Sequence, residues 1–119
     1  MIRSHHYSAI LTAAETVITQ SPAELLGLLR SCVKSVGLNA VGELATTFEP
    51  QGASVVLILE ESHVALHIWT ESSKIAVDIH VCDYHQDNFL KAKKLSERLA
   101  IALTNNHHSV RWSYLLATE

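Results

Sequence analysis

The sequence predicts a single α+β domain, residues 1–119: a two-layer sandwich whose mostly antiparallel sheet carries two helices on one face. Three observations predict it. Six segments repeat their apolar residues with a period near two and only two with the helical period. Their order, β-α-β-β-β-β-α-β, leaves the helices too few and too far apart for a doubly wound parallel sheet. A chain of 119 residues with 48% hydrophobic and 18% charged residues, 4 Gly and 2 Pro has the composition of one globular core without linkers.

The first strand is "SHHYSAILTAA" (4–14). The next element, "SPAELLGLLRSCVKSVG" (21–37), has the strongest helix signal: Ser21 as N-cap, Pro22 at the first helical position, Glu24 completing a capping box, and Gly37 as the stop. Leu25, Leu28, Leu29, Cys32 and Val36 are its expected buried face, with Cys32 in the core. Four strands follow: "AVGELATTFE" (40–49), "ASVVLILE" (53–60), "SHVALHIWT" (62–70) and "KIAVDIHVC" (74–82). A second helix runs through 86–106, burying Ala92, Leu95, Leu99, Ala102 and Leu103, and "HHSVRWSYLLA" (107–117) is the last strand. With both helices on one face, "SVVLIL" has too few polar residues for a water-facing surface, so a second copy of the chain is expected to cover the other face.

Composition also narrows the partners. A net charge of −3 supplies no field for a phosphate backbone, and Lys91, Lys93, Lys94 and Arg98 read as a solvated helix face; no nucleic acid is expected. Two cysteines, Cys32 and Cys82, no signal-peptide pattern and no apolar run near the roughly 18–20 residues that span a bilayer predict a soluble cytoplasmic protein without a membrane partner.

The chemistry centres on "LEESHVALH" (59–67). Ser62 enters a strand behind two acids, at a place where a plain hairpin would carry Gly or Asn. Alone it reads as a turn residue bonding its own backbone. However, His67, Ser54 and Cys82 lie on the same or neighbouring strands, and an antiparallel meander is expected to bring all three near the Glu61-Ser62 bond: a hydroxyl, a base, a polar partner and an acid. Two rival readings use overlapping residues. His80, Cys82 and His85 have spacings open to a soft or borderline metal, but no second ligand pair follows them. A Ser-His-acid hydrolase lacks the glycines of a nucleophile turn. His63, His67 and Trp69 share one strand face by parity, which also suits a half-buried surface.

The stretch "FEPQGASVVLILEESHVALHIWTE" (48–71) resembles the processing segment of the small prokaryotic S-adenosylmethionine decarboxylases, and "VDIHVC" (77–82) resembles that family's next strand, which ends in a functional cysteine. The resemblance implies a proenzyme that self-cleaves between residues 61 and 62. In this family the serine, here Ser62, attacks the carbonyl of the preceding residue, here Glu61, and becomes a pyruvoyl cofactor. That cofactor forms a Schiff base with the substrate amine and acts as electron sink. Carried over by position, Ser54 and His67 assist self-cleavage, His67 removing the α-proton, and Cys82 donates the proton that quenches the carbanion. Phe48 stacks on adenine and Glu71 binds the ribose hydroxyls. The same resemblance implies a homodimer with the active site at its interface, and a product that is the aminopropyl donor for spermidine synthesis.

Departures from the pattern bear on the substrate. Ile68 and Thr70 replace a threonine and a proline, Asp83 follows the cysteine, and "HHYSAILTAAET" lacks the usual amino-terminal aspartate, glycine and cysteine. Pyruvoyl-dependent decarboxylation of a basic amino acid such as ornithine or arginine is therefore an alternative, since the sink is indifferent to the side chain. A non-cleaving homologue acting as a binding or regulatory subunit is a third reading.

Overall fold

Alternation of apolar and polar residues builds a six-stranded sheet in the computed structural model, which describes residues 2–106 and 110–119. The strands are β1 (Arg3–Thr12), β2 (Ala40–Thr47), β3 (Ala53–Leu59), β4 (Ser62–Trp69), β5 (Lys74–Cys82) and β6 (Ser113–Thr118). Their spatial order is β2-β3-β4-β5-β1-β6, and every neighbouring pair is antiparallel. The predicted α+β class and element order hold, with one addition: a single helical turn, α1 (Glu15–Ile18), after β1. Of the last predicted strand, 107–109 lie outside the described residues.

One sheet face is buried under α2 (Pro22–Ser35) and α3 (Phe89–Thr104). Val55, Leu57 and Leu59 of β3, Val64, Leu66 and Ile68 of β4, and Ile75, Val77, Ile79 and Val81 of β5 meet Leu29 and Val33 of α2 and Leu95, Leu99 and Leu103 of α3 in one core. α2 starts as expected: the Ser21 hydroxyl accepts from the Glu24 amide (3.1 Å), and the Glu24 carboxylate accepts from the Ser21 amide (3.0 Å).

The buried face of α2 is turned from the one predicted. Leu25, Leu26, Leu29, Val33 and Val36 are buried, while Leu28 and Cys32 are half-buried at its margin. Because α2 packs on β2 and β3 on one side and on α3 on the other, its covered stripe is centred on Leu29 and Val33. Cys32 is thus not a core residue, although burial still pushes its thiol pKa up. On α3, Ala102 is likewise half-buried, and Ser96 and Ala100 take its expected place inside.

The other face is open. It presents Leu44, Ser54, Val56, Ile58, His63, Ala65, His67, Trp69, Ala76, Asp78, His80, Cys82, Ser4, His6 and Ile10, by the alternation and register of the strands. Ile10 (74% exposed), Leu44 (71%) and Ile58 (44%) are large apolar residues left to water. That is the uncovered surface expected from "SVVLIL".

The connection from β2 to β3 depends on Gly52. The Phe48 amide donates to the Gly52 carbonyl (3.1 Å), and a Cβ at position 52 would run into the Phe48 ring and the Ile68 carbonyl. A backbone atom cannot step aside as a side chain can. Gly52→Ala is expected to cost about 1–3 kcal/mol, read as a lower urea midpoint at unchanged slope.

Candidate active site

The β3–β4 hairpin turns on Glu60 and Glu61, with Leu59 paired directly to Ser62. Neither glutamate has positive φ, so this two-residue turn is not of the primed types that match strand twist. Its Glu-Glu-Ser sequence is therefore not explained by hairpin geometry. Ser62 is half-buried at the start of β4, and its hydroxyl accepts from the Cys82 backbone amide at 3.1 Å. Glu61, Ser62 and Cys82 line one cleft at this end of the sheet, closed by Leu38 from the α2–β2 connection and by Asn88 and Lys91 near the start of α3.

The Cys82 side chain lies on the open face, where its sulfur is 3.2 Å from His80 Nε2. Burial pushes the thiol pKa up, and the charges of Glu61 and Asp83 add to the effect. Both effects favour the protonated sulfur over the thiolate. Asp83 itself is tied back by its neighbours: Oδ1 accepts from the Asn88 amide (2.8 Å), lies 2.8 Å from His5 Nε2, and Oδ2 is 3.3 Å from Arg3 Nε. Burial pushes its carboxyl up, but those contacts outweigh burial and hold it below the ordinary carboxylate range.

Ser54 and His67 come together as expected, Ser54 Oγ lying 2.8 Å from His67 Nδ1 on the open face. They do not come to Ser62. Ser54 pairs with His67, whereas Leu59 pairs with Ser62, and five residues of strand amount to about 17 Å. The expectation that one meander would gather all four residues is corrected by this register: antiparallel pairing fixes the hairpin tip at one end of the sheet and the Ser54–His67 pair near the other. Phe48 and Glu71 belong to the His67 end. The Phe48 ring packs edgewise on Trp69 (centroids 6.3 Å apart), and Glu71 is exposed on the β4–β5 turn. Thr70 donates to Gln51 Oε1 (3.0 Å), tying that turn to the Phe48 loop. Ile68, the residue in place of threonine, is a core residue at 2% exposure, so that departure lies on the sheet face away from Ser54 and His67.

The metal reading fares differently. His80 and Cys82 adjoin, but His85 sits on an exposed loop with its ring against Tyr84 (4.0 Å), and the three do not gather. Among the described residues the gathering trio is His5, Asp83 and Asp87, and there the ligand atoms of His5 and Asp83 are already engaged with each other and with Arg3.

Sequence reasoning missed a row of imidazoles. His63 of β4, His80 of β5 and His6 of β1 are cross-strand neighbours, since His63 and His6 both pair with His80. The His63 and His80 rings stack (4.9 Å, 8°), and the His6 ring meets His80 edgewise (4.1 Å). Parity signalled His63, and the metal reading singled out His80, but only the β1–β5 pairing adds His6.

Comparison with known proteins agrees with this architecture. Residues 5–112 match the family model described as S-adenosylmethionine decarboxylase. An S-adenosylmethionine decarboxylase proenzyme of Persephonella marina is 34% identical over 82 residues, covering 61% of this chain and 62% of that protein. One of Sulfurihydrogenibium is 31% identical over 86 residues, 65% of each chain. The match thus spans just under two thirds of each relative's length. The crystal structure of the Aquifex aeolicus adenosylmethionine decarboxylase superposes with a TM-score of 0.74 over 96% of this chain and 88% of that one, at 22% identity, a likeness of fold. With nearly its whole length under the family model, this chain belongs to the S-adenosylmethionine decarboxylase family.

Proposed function

We propose that this chain is a single self-processing domain that cleaves between Glu61 and Ser62, makes a pyruvoyl cofactor from Ser62 and decarboxylates S-adenosylmethionine. The observation that carries this reading is the shared cleft: Glu61, Ser62 and Cys82, the last twenty residues beyond Ser62 in sequence, line one opening, and the Ser62 hydroxyl accepts from the Cys82 amide. The proenzyme names of the relatives support the same reading. Retention of Phe48 and Glu71 favours a nucleoside substrate over a basic amino acid, since an aromatic plate and an acid suit adenine and ribose.

In the proposed processing, Ser62 Oγ attacks the Glu61 carbonyl, the C–N bond breaks, and the freed amine takes a proton, leaving an ester. A base then removes the Ser62 α-proton, the Cβ–Oγ bond breaks, and Glu61 departs as a carboxylate. Water replaces the nitrogen of the resulting dehydroalanine, releasing ammonia and leaving the keto group. The residues present suit this product: a half-buried strand start, a hydroxyl already fixed by the Cys82 amide, and a cleft in front of it. When present, that keto group supplies the electron sink for loss of carbon dioxide. Cys82 gives the proton to the carbon that loses carboxylate, and its raised pKa keeps that proton in place.

Because Ser54 and His67 lie at the far end of the strand, the reading requires two copies. Stacking two open faces about a two-fold axis would set one copy's Ser54–His67 end over the other's Ser62–Cys82 end and cover Leu44 and Ile58. The nucleoside would then rest on Phe48 and Glu71 of the copy that supplies His67. No described helix is long and apolar enough to cross a membrane, and the reading places the enzyme in the cytoplasm, where Cys32 and Cys82 stay reduced. The product would be the aminopropyl donor for spermidine synthesis.

Denaturing mass spectrometry and carbon dioxide release test the reading. Two fragments parting between residues 61 and 62, the later one blocked at its amino end, are expected. A persistently whole chain without a carbonyl reactive toward hydroxylamine overturns it. Cys82→Ala should still cleave but lose about 10²–10³ in kcat; unchanged turnover would remove Cys82 from its role.

A further inference from the structure

We propose that His80 and His6 form a proton wire that recharges Cys82 from the open sheet face after each turnover. The proposal rests on the reading of Cys82 as proton donor and adds where its next proton comes from. Its geometry is an unbroken chain of contacts: Cys82 Sγ to His80 Nε2 at 3.2 Å, His80 Nδ1 to His6 Nδ1 at 3.3 Å, and His6 Nε2 to Ser4 Oγ at 3.3 Å. Each histidine uses both ring nitrogens, so each can take a proton on one side while giving one on the other. Ser4 is buried and holds the His6 ring, whereas His6 is half-exposed and lies on β1 beside the edge strand β6, where it forms the solvent end at the margin of the face that the second copy would cover.

The proton balance closes. Loss of carbon dioxide from a carboxylate leaves an electron pair on carbon, and Cys82 S–H supplies the proton, becoming a thiolate. His80 gives its Nε2 proton to that thiolate and takes the Nδ1 proton of His6. His6 takes a proton from water at Nε2. One solvent proton enters per turnover, as the overall reaction requires, and both rings end as the opposite tautomers, reset by ring rotation or by back-transfer through water.

The surroundings favour a neutral relay over a fixed thiolate–imidazolium pair. Burial pushes the His80 pKa down, His6 and His63 push it further, and Asp78 opposes them; burial, Glu61 and Asp83 push Cys82 up. His63 stacks on His80 from β4 and lies 3.7 Å from the Asp78 carboxylate. An uncharged imidazole next to a protonated thiol is the state from which a proton moves in either direction at small cost.

The test compares His80→Phe, His80→Gln and His6→Gln with the unaltered protein. Gln keeps a polar partner beside Cys82 but cannot pass a proton. All three should cleave normally and keep KM, while kcat falls about tenfold or more and recovers on adding free imidazole. Normal kcat in His80→Gln with loss only in His80→Phe would make His80 a positioning residue and overturn the wire, as would full activity in both. A second readout needs no turnover: alkylation of Cys82 by iodoacetamide, followed by peptide mass spectrometry, should slow severalfold at pH 7 in His80→Phe and converge with the unaltered protein near pH 10. Equal rates at pH 7 overturn the couple. Cleaved protein that alkylates as expected yet releases no carbon dioxide would instead overturn the decarboxylase reading, and the wire's role in turnover with it.

Discussion

Ser62→Ala is expected to yield one uncleaved chain of 13.1 kDa and no carbon dioxide release from S-adenosylmethionine. The loss is expected to be total because, in the proposed processing, one oxygen serves twice: as the nucleophile that breaks the Glu61-Ser62 linkage and as the group whose departure creates the keto group. Without that group the carbanion has no acceptor for its electron pair, and enzymes supply at least about 8 kcal/mol of barrier lowering that no binding contact here would replace. The fold should survive. Ser62 lies at a strand end, and the contact it loses, from the Cys82 amide at 3.1 Å, is a hydrogen bond worth about 1 kcal/mol net. Circular dichroism unchanged from the unaltered protein, beside an intact chain on denaturing mass spectrometry, separates lost chemistry from lost structure. Carbon dioxide release by the uncleaved Ser62→Ala chain would remove Ser62 as cofactor precursor.

What was legible in the sequence was local. The start of α2 followed from Ser21, Pro22 and Glu24, whose mutual hydrogen bonds need no tertiary partner. Strand alternation identified β3, β4 and β5 and put His63, His67 and Trp69 on one face, because side-chain parity is a property of the strand itself. Pairing is not local. That His6 meets His80 depends on β1 inserting between β5 and β6, seventy-four residues away in sequence. The turned face of α2 has the same origin: helical period defines a stripe, but α3 and β2 decide which edge of it is covered, leaving Cys32 and Leu28 at the margin. The short helix α1 carries no side-chain cap bond and so left no start signal to read. For the site, the residues and the resemblance named candidates, yet the distance between Ser54–His67 and Ser62–Cys82 was readable only by counting positions from the Glu60-Glu61 turn.

That distance makes the second large prediction. Ser62→Ala and His67→Ala should each be inactive when purified alone, for different reasons: the first lacks the cofactor precursor, the second the base proposed for ester elimination. His67→Ala should stall at the ester, so that hydroxylamine cuts it to a fragment beginning with unaltered serine. If each working site draws Ser62 and Cys82 from one copy and Ser54 and His67 from another, coexpression of the two variants restores one complete site per mixed dimer. Half of randomly paired dimers are mixed and each has one good site of two, so recovery should approach about a quarter of the unaltered activity. Processing should recover in step, with cleaved chains all deriving from the His67→Ala partner, which retains Ser62. A site built within one chain gives no such recovery, because no chain in the mixture has both halves. Five strand positions separate Ser62 from His67 in a rigid antiparallel ladder, and no side-chain rotation spans about 17 Å; if both residues serve one proposed site, activity is expected to depend on association and to fall on dilution as the dimer parts.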